Sequence, residues 1–287
     1  MHEIKRVTDG IIISGIDNLD IARSCACGQS FRWRKSDEGF FGVVRGRGVN
    51  VSQLGDTLHI RAAEEIDAAM WVDYFDLKRD YAAIERAIGA DVRLRDCLPY
   101  ATGIRVFNQE PFETLISFII SANNNIKRIS GIIDRLCMLA GESKSNEYEY
   151  SAFPKPEAIA NLSLQQLEQI GSGYRAPFIK RSAAMIADGY ELERLSELSL
   201  DQARRELLKF PGVGPKVADC VLLFSLHHTD AFPIDVWMDR AMRALFFESR
   251  QPSKQELTDI ILQLGPLSGI VQQYVFHYAR QQGIGIK

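Results

Sequence analysis

Residues 207–220 read LLKFPGVGPKVADC. A helical run stops at Phe210, Pro211 to Pro215 interrupt it, and a second apolar run opens with Lys216 in its first turn. Gly212 and Gly214 permit positive φ and close approach of another backbone. Pro215 suits a first helical position, where its missing N–H costs nothing. The free N–H groups at such a helix start carry partial positive charge and suit an anion such as a phosphate. The same letters also describe an αα-hairpin that only joins two core helices, with a solvated lysine beside the turn. Taken alone, the stretch favours that plainer reading.

The segment that follows, AFPIDVWMDRAMRALF from Ala231, changes the balance. Pro233 keeps its predecessor extended, and Asp235 stands where a helix N-cap belongs. A helix over 216–226 and the return loop HHTDAFP bring Asp235 back toward Lys216. An amine desolvated at a helix N-terminus favours its neutral form, which is a nucleophile that forms Schiff bases. A carboxylate beside it can stabilise positive charge developing on a sugar ring. Capping is the plainer role for Asp235 and is compatible with either reading.

Composition is permissive. The chain has 287 residues, 46% hydrophobic and 25% charged, which suits one large or two smaller globular domains. No apolar run approaches a membrane span. The start, MHEIKRVTDG, lacks a signal-peptide apolar region, so an intracellular protein is expected. Five irregularly spaced cysteines, Cys25, Cys27, Cys97, Cys137 and Cys220, fit reduced thiols rather than a disulfide framework. Cys25 and Cys27 have no second pair to complete a zinc site. A net charge of −3 argues against coating nucleic acid by bulk charge. It leaves room for local basic faces at Arg32–Arg47 and Arg175–Arg181, which in most proteins are merely solvated.

The fold class read from the pattern is α+β. The runs GIIISGI, SFRWRK, GFFGVVRGR, VNVSQ and TLHIRA within the first 62 residues read as a meander of antiparallel strands. Helical periodicity follows at 65–74, 80–88, 110–122, 125–140, 164–170, 174–188, 201–209, 216–226, 236–247, 254–264 and 267–282. GESKSNEYEYSAFPKP, 141–156, reads as a polar connector. The expected division is an N-terminal domain over 1–104, with its sheet to about 63, and a helical domain over 105–287 carrying the hairpin at 201–226.

FPGVGPKVADC followed by PIDVWMDR resembles the helix-hairpin-helix DNA glycosylases that carry a Gly/Pro-rich loop and a catalytic aspartate. Within that superfamily the chain resembles the 8-oxoguanine DNA glycosylases. GQSFRW at 28–33, FIISANNNIKRISGIIDRLC at 118–137, GSGYRAPFI at 171–179 and VQQYVFHYAR at 271–280 are similar to that family in the same order. The resemblance implies that Lys216 attacks C1′ of the sugar and forms a Schiff base, with Asp235 as the catalytic aspartate. It assigns the Gly28 carbonyl to the N7–H that only the oxidised guanine carries; ordinary guanine has an acceptor there. Cys220 and Phe276 fall on the pair that clasps the flipped base, and Gln272 on the reader of its Watson–Crick edge. Asn123, Arg128, Tyr174 and Arg175 fall on residues that fill the vacated stack and meet the orphaned base. Leu208, Phe210 and Val213 would offer backbone carbonyls to a structural cation. Each also has a plainer role: Phe276 as core, Cys220 as a small buried hydrophobe, Gln272 as a surface amide, and the asparagines as helix terminator and cap.

One pair departs from the family pattern: Trp237 and Ala279 stand where a phosphate-contacting histidine and its acidic partner are expected. No cofactor is expected for the chemistry. An iron–sulfur cluster is not expected, because no cysteine follows Cys220. The expected partner is double-stranded DNA containing 8-oxoguanine, preferably opposite cytosine, bound by a monomer with no membrane attachment. The expected location is the cytoplasm of a prokaryote or the nucleus of a eukaryote. A non-enzymatic hairpin that grips DNA phosphates is the rival, and it has no need of Lys216 together with Asp235.

Overall fold

The computed structural model describes residues 2–64 and 67–284. Six antiparallel strands open the chain: β1 (Glu3–Val7), β2 (Gly10–Ser14), β3 (Arg34–Ser36), β4 (Gly39–Val44), β5 (Arg47–Leu54) and β6 (Thr57–Arg61). Their spatial order is β1-β2-β6-β5-β4-β3. The meander therefore holds from β3 to β6, and the N-terminal hairpin joins through β2 against β6, with Ile11 opposite Ile60 and Ile13 opposite Leu58. β1 was not expected. Four of its five side chains are exposed, so this edge strand lacks the inward alternation that marks a half-buried strand. The SFRWRK strand shortens to β3, because Phe31 and Trp33 plug the core instead. Trp33 donates its ring N–H to the Tyr74 hydroxyl at 2.9 Å, and Phe31 packs edge-on against Phe118.

A short helix, α1 (Ile21–Ala26), intervenes between β2 and β3 behind an Asp20 cap. One face of the sheet, carrying Ile11, Ile13, Val49, Val51, Leu58 and Ile60, buries against Trp71 and Tyr74 of α2 (Ala68–Tyr74), and against Phe75 and Phe107. The first two residues of the helix expected at 65–74 lie outside the described residues.

The helices α3 (Tyr81–Ala90), α4 (Leu98–Ala101), α5 (Pro111–Ser121) and α6 (Ile126–Ala140) lead into a hairpin of β7 (Ser143–Ser145) and β8 (Glu149–Ser151). The segment expected as a connector thus folds back, and Tyr148 and Tyr150 pack on Phe41 of β4 at 5.0 and 6.5 Å. Then follow α7 (Pro156–Ala160), α8 (Leu164–Gln169), α9 (Ala176–Ala187), α10 (Leu200–Leu207), α11 (Pro215–Ser225), α12 (Val236–Phe246), α13 (Lys254–Gln263) and α14 (Ser268–Gln282). α5 is buried from Thr114 to Ile120, as a helix apolar on all sides must be. It is flanked by α6, α9 and α11. Tyr81, Ile84, Ile88, Leu94, Ala101 and Ile104 join this helical core and not the sheet's.

Candidate active site

α10 starts from a capping box formed by Ser199 and Gln202, and α11 starts at Pro215 with Gly214 as N-cap. Between them Gly212 takes φ +80, and a Cβ there would lie 2.8 Å from the Phe178 ring. Conformation and neighbour both demand glycine. Gly214 corrects the sequence reading: its φ of −100 is open to any residue, and a Cβ there would meet nothing within 4 Å. Its bareness leaves the N–H groups of α11 approachable. Arg204 of α10 bolts the hairpin together, its Nε donating to Asp219 of α11 at 2.7 Å. Burial pushes the Asp219 carboxyl up to about 6 against the opposing pull of Arg204.

Lys216 and Asp235 line one cavity of about 890 Å³. Lys216 is half-buried in the first turn of α11, its Nζ 3.4 Å from the Ser121 hydroxyl and 4.9 Å from the Phe118 ring centre. Asp235 is the N-cap of α12, and its Oδ1 accepts the Met238 N–H at 2.8 Å. Capping therefore uses one carboxylate oxygen, and no ion pair joins Asp235 to Lys216. Trp237 and Asp239 of the same helix also face the cavity, Asp239 paired with Arg243. Ala279 is fully buried in α14, which packs on α12.

Gly28 and Phe276 also line the cavity. Gly28 has φ +87, and a Cβ there would stand 3.6 Å from the Phe276 ring and 3.5 Å from Nη1 of Arg280. Gln29 fixes this loop from within. Its fully buried amide donates to the carbonyls of Ser24 and Arg105 and accepts from the Phe107 N–H, while its own carbonyl accepts from Gln109.

The Asn123–Asn125 run divides its labour. Asn125 caps α6 through the Arg128 N–H, and Asn124 bonds back to the Ile120 carbonyl, as the plainer reading had it. Asn123 is exposed at φ +49, lines the cavity, and lies 3.4 Å from the Tyr174 hydroxyl. Arg175 is 3% exposed, and its fork grips the carbonyls of Ala122, Asn123 and Ser172 beneath the Tyr174 ring. An arginine so engaged braces the loop, with its donors turned inward. Arg128 is exposed on the first turn of α6.

Cys220 and Gln272 do not line the cavity; they are 2% and 3% exposed in the layer behind it. Burial pushes the Cys220 thiol up to about 11, with Lys216 pulling the other way. The Gln272 amide is held at both ends, donating to the Pro233 carbonyl at 3.1 Å and accepting from Gln273 at 2.9 Å. It is no surface amide. Leu208, Phe210 and Val213 share the turn of the hairpin, where the Phe210 carbonyl accepts the Val213 N–H. Among the described residues no cluster of three His, Cys, Asp or Glu side chains is placed to hold a metal, and no helix is long and apolar enough to cross a membrane.

Sequence reasoning missed Ser121, Phe118, Gln29, Gln273 and Arg280. GQSFRW and VQQYVFHYAR contain the last three. Nothing in those strings separates a residue that meets the cavity from one that holds its neighbour.

A hairpin with a lysine in the first turn of its second helix, and a capping aspartate lining the same cavity, is the arrangement expected of a helix-hairpin-helix base excision glycosylase. Matches to known proteins agree. The model of the 8-oxoguanine DNA glycosylase N-terminal domain matches residues 11–115, and that of HhH-GPD superfamily base excision DNA repair proteins matches 116–266. The "Probable N-glycosylase/DNA lyase" of Methanothermobacter thermautotrophicus is 31% identical over 231 residues, covering 73% of this chain and 72% of its own. The Clostridium acetobutylicum 8-oxoguanine glycosylase/lyase, solved with duplex DNA bearing cytosine opposite 8-oxoguanine, superposes with a TM-score of 0.93 at 35% identity over 99% of each chain. MBOgg1, solved with a low-affinity DNA ligand, gives 0.95 at 35% identity over 99% of each chain. The chain belongs to the 8-oxoguanine DNA glycosylase family of the HhH-GPD superfamily, and is an enzyme of DNA repair.

Proposed function

We propose that the chain flips 8-oxoguanine out of double-stranded DNA, releases the base through a Schiff base on Lys216, and nicks the abasic strand by β-elimination. The observation that supports this most is that Lys216 and Asp235 line one cavity with neither neutralising the other. Nζ attacks C1′ while the bond from C1′ to the base nitrogen breaks and the base leaves with the electron pair. The Asp235 carboxylate oxygen not used in capping faces positive charge on the sugar. Ring opening gives the Schiff base, and loss of a proton from C2′ expels the 3′ phosphate.

The remaining residues take binding roles. The Gly28 carbonyl accepts the lesion's N7–H, and Phe276 stacks on the ring. Cys220 clasps the other face and Gln272 reads the Watson–Crick edge; both lie one layer deeper, so a seated base displaces part of the wall. The exposed α11 start, with Gly212 and Gly214, takes a phosphate. Asn123 fills the vacated stack between Tyr174 and the cavity, held from below by Arg175, and Arg128 meets the orphaned base. The carbonyls of Leu208, Phe210 and Val213 are proposed to seat a structural cation, with no cofactor or iron–sulfur cluster taking part in the chemistry. The protein would act where the genome lies, in a nucleoid or nucleus, as a monomer.

The test is incubation with an 8-oxoguanine duplex and borohydride, read on a denaturing gel. A covalent band and a strand break are expected with the lesion only. Lesion duplex left intact would rule the reading out.

A further inference from the structure

Arg280 is the one cation besides Lys216 whose side chain lines the cavity, among the described residues. It is exposed, its guanidinium carbon stands 5.5 Å from the Phe276 ring centre, and among the described residues no hydrogen bond or salt bridge engages it. Its Nη1 comes within 3.5 Å of the point where a Cβ on Gly28 would sit. Gly28, Phe276 and Arg280 therefore converge on one corner. A fork of N–H donors at a cavity wall, held against an aromatic face and without an acceptor, is suited to an electron-rich oxygen.

The proposed binding mode supplies that oxygen. If the N7–H of the lesion donates to the Gly28 carbonyl, the C8 oxygen lies on the same edge, because C8 is bonded to N7. It must then point toward whatever stands beside Gly28. We propose that Arg280 is a specificity-determining residue that donates to the C8 oxygen of the flipped base. The inference rests on the function proposed above and deepens it. Gly28 would test for the hydrogen on N7 and Arg280 for the oxygen on C8. Ordinary guanine, with an acceptor at N7 and no oxygen at C8, fails both. The same contact stabilises negative charge on the departing base.

Binding is measured in a Lys216→Gln background, so that excision does not intervene, on duplexes carrying 8-oxoguanine, guanine or 8-aminoguanine at one position. 8-Aminoguanine keeps the ring but presents a donor at C8. Arg280→Leu should weaken 8-oxoguanine binding by about ten- to a hundredfold, the range for a charge-assisted hydrogen bond. It should leave guanine unchanged, and 8-aminoguanine unchanged or tighter. Arg280→Lys should recover part of the loss. Equal losses on 8-oxoguanine and 8-aminoguanine would mean that Arg280 only supports Phe276. Equal losses on undamaged duplex, with the salt slope flattened by about one unit, would mean that it contacts phosphate. Either result overturns the inference. If the background protein itself shows no preference for the lesion, the functional reading fails and this inference falls with it. A preference that survives Arg280→Leu defeats the inference alone.

Discussion

Lys216 and Asp235 face one cavity from the N-terminal ends of two different helices, yet do not pair. The capping bond to Met238 holds the carboxylate on its own helix, and the amine points to Ser121 and Phe118 instead. An ion pair would have occupied the nucleophile. Lys216→Gln keeps a polar side chain of similar length at a half-buried site, so the hairpin should persist. Duplex binding is expected to stay within a few fold, while base release and the borohydride-trapped band disappear. Trapping that persists in the variant would move the nucleophile to another amine.

Asp235→Asn separates cap from charge. Asparagine caps a helix about as well as aspartate, so the melting temperature should change little. Removing the carboxylate from the sugar's side should slow single-turnover base release by orders of magnitude. If the rate holds while stability falls, capping is the whole role of Asp235.

Much of this was legible in the sequence, and what was not has a physical reason. α5, α6, α11, α12 and α14 follow from apolar periodicity, and the lysine–aspartate placement follows from the length of α11 and its return loop. β1 was missed because its exposed edge hides the period of two. The β7–β8 hairpin was missed because Tyr148 and Tyr150 find their partner, Phe41, about a hundred residues back in the chain. Arg175 shows the same limit at the site. Its letter suits a base contact, and only the carbonyls of Ala122 and Asn123 reveal a brace.

Asp219 gives the hairpin a pH dependence. Its carboxyl sits at about 6, above the usual 3.8, because burial outweighs Arg204. The folded state therefore holds the proton more tightly than the unfolded chain. The resulting stabilisation is complete below about pH 4 and is lost as pH rises through about 6. A shift of that size is worth on the order of 3 kcal/mol. Asp219→Asn should remove this component, so that thermal melts of the variant minus the unmutated protein rise from pH 4 to pH 7. A flat difference curve would show that Asp219 titrates no differently when folded.

Gln273 orients Gln272 without touching the cavity. Its amide donates to Gln272 Oε1, while Pro233 accepts from the other end, so the Gln272 amide cannot flip without breaking both bonds. Gln273→Leu removes the donor and leaves the Gln272 Oε1 short of a partner, at about 1–3 kcal/mol. It also removes the Gln273 Oε1, which is buried with no partner among the described residues, so the two effects offset. The expected result is weaker discrimination of 8-oxoguanine from 8-oxoadenine, whose Watson–Crick edge differs, with little change in melting temperature. Unaltered discrimination would reduce Gln273 to packing.

The two arginines of the Asn123 region should separate in an experiment on the base opposite the lesion. An unpaired cytosine offers adjacent acceptors at N3 and O2, which a guanidinium fork matches, whereas adenine turns a donor toward it. Arg128 is exposed and its side chain is available for that contact. Arg175 is buried with its donors on the loop carbonyls. Single-turnover excision against all four partner bases should therefore show a strong preference for cytosine in the unmutated protein. Arg128→Ala should flatten that preference, costing about 1–3 kcal/mol opposite cytosine and little opposite adenine. Arg175→Ala should release residues 122 and 123, lower the melting temperature, and slow excision opposite every partner alike. Flattening by Arg175→Ala with the melting temperature intact would show that the buried fork leaves the loop and reads the orphaned base after all.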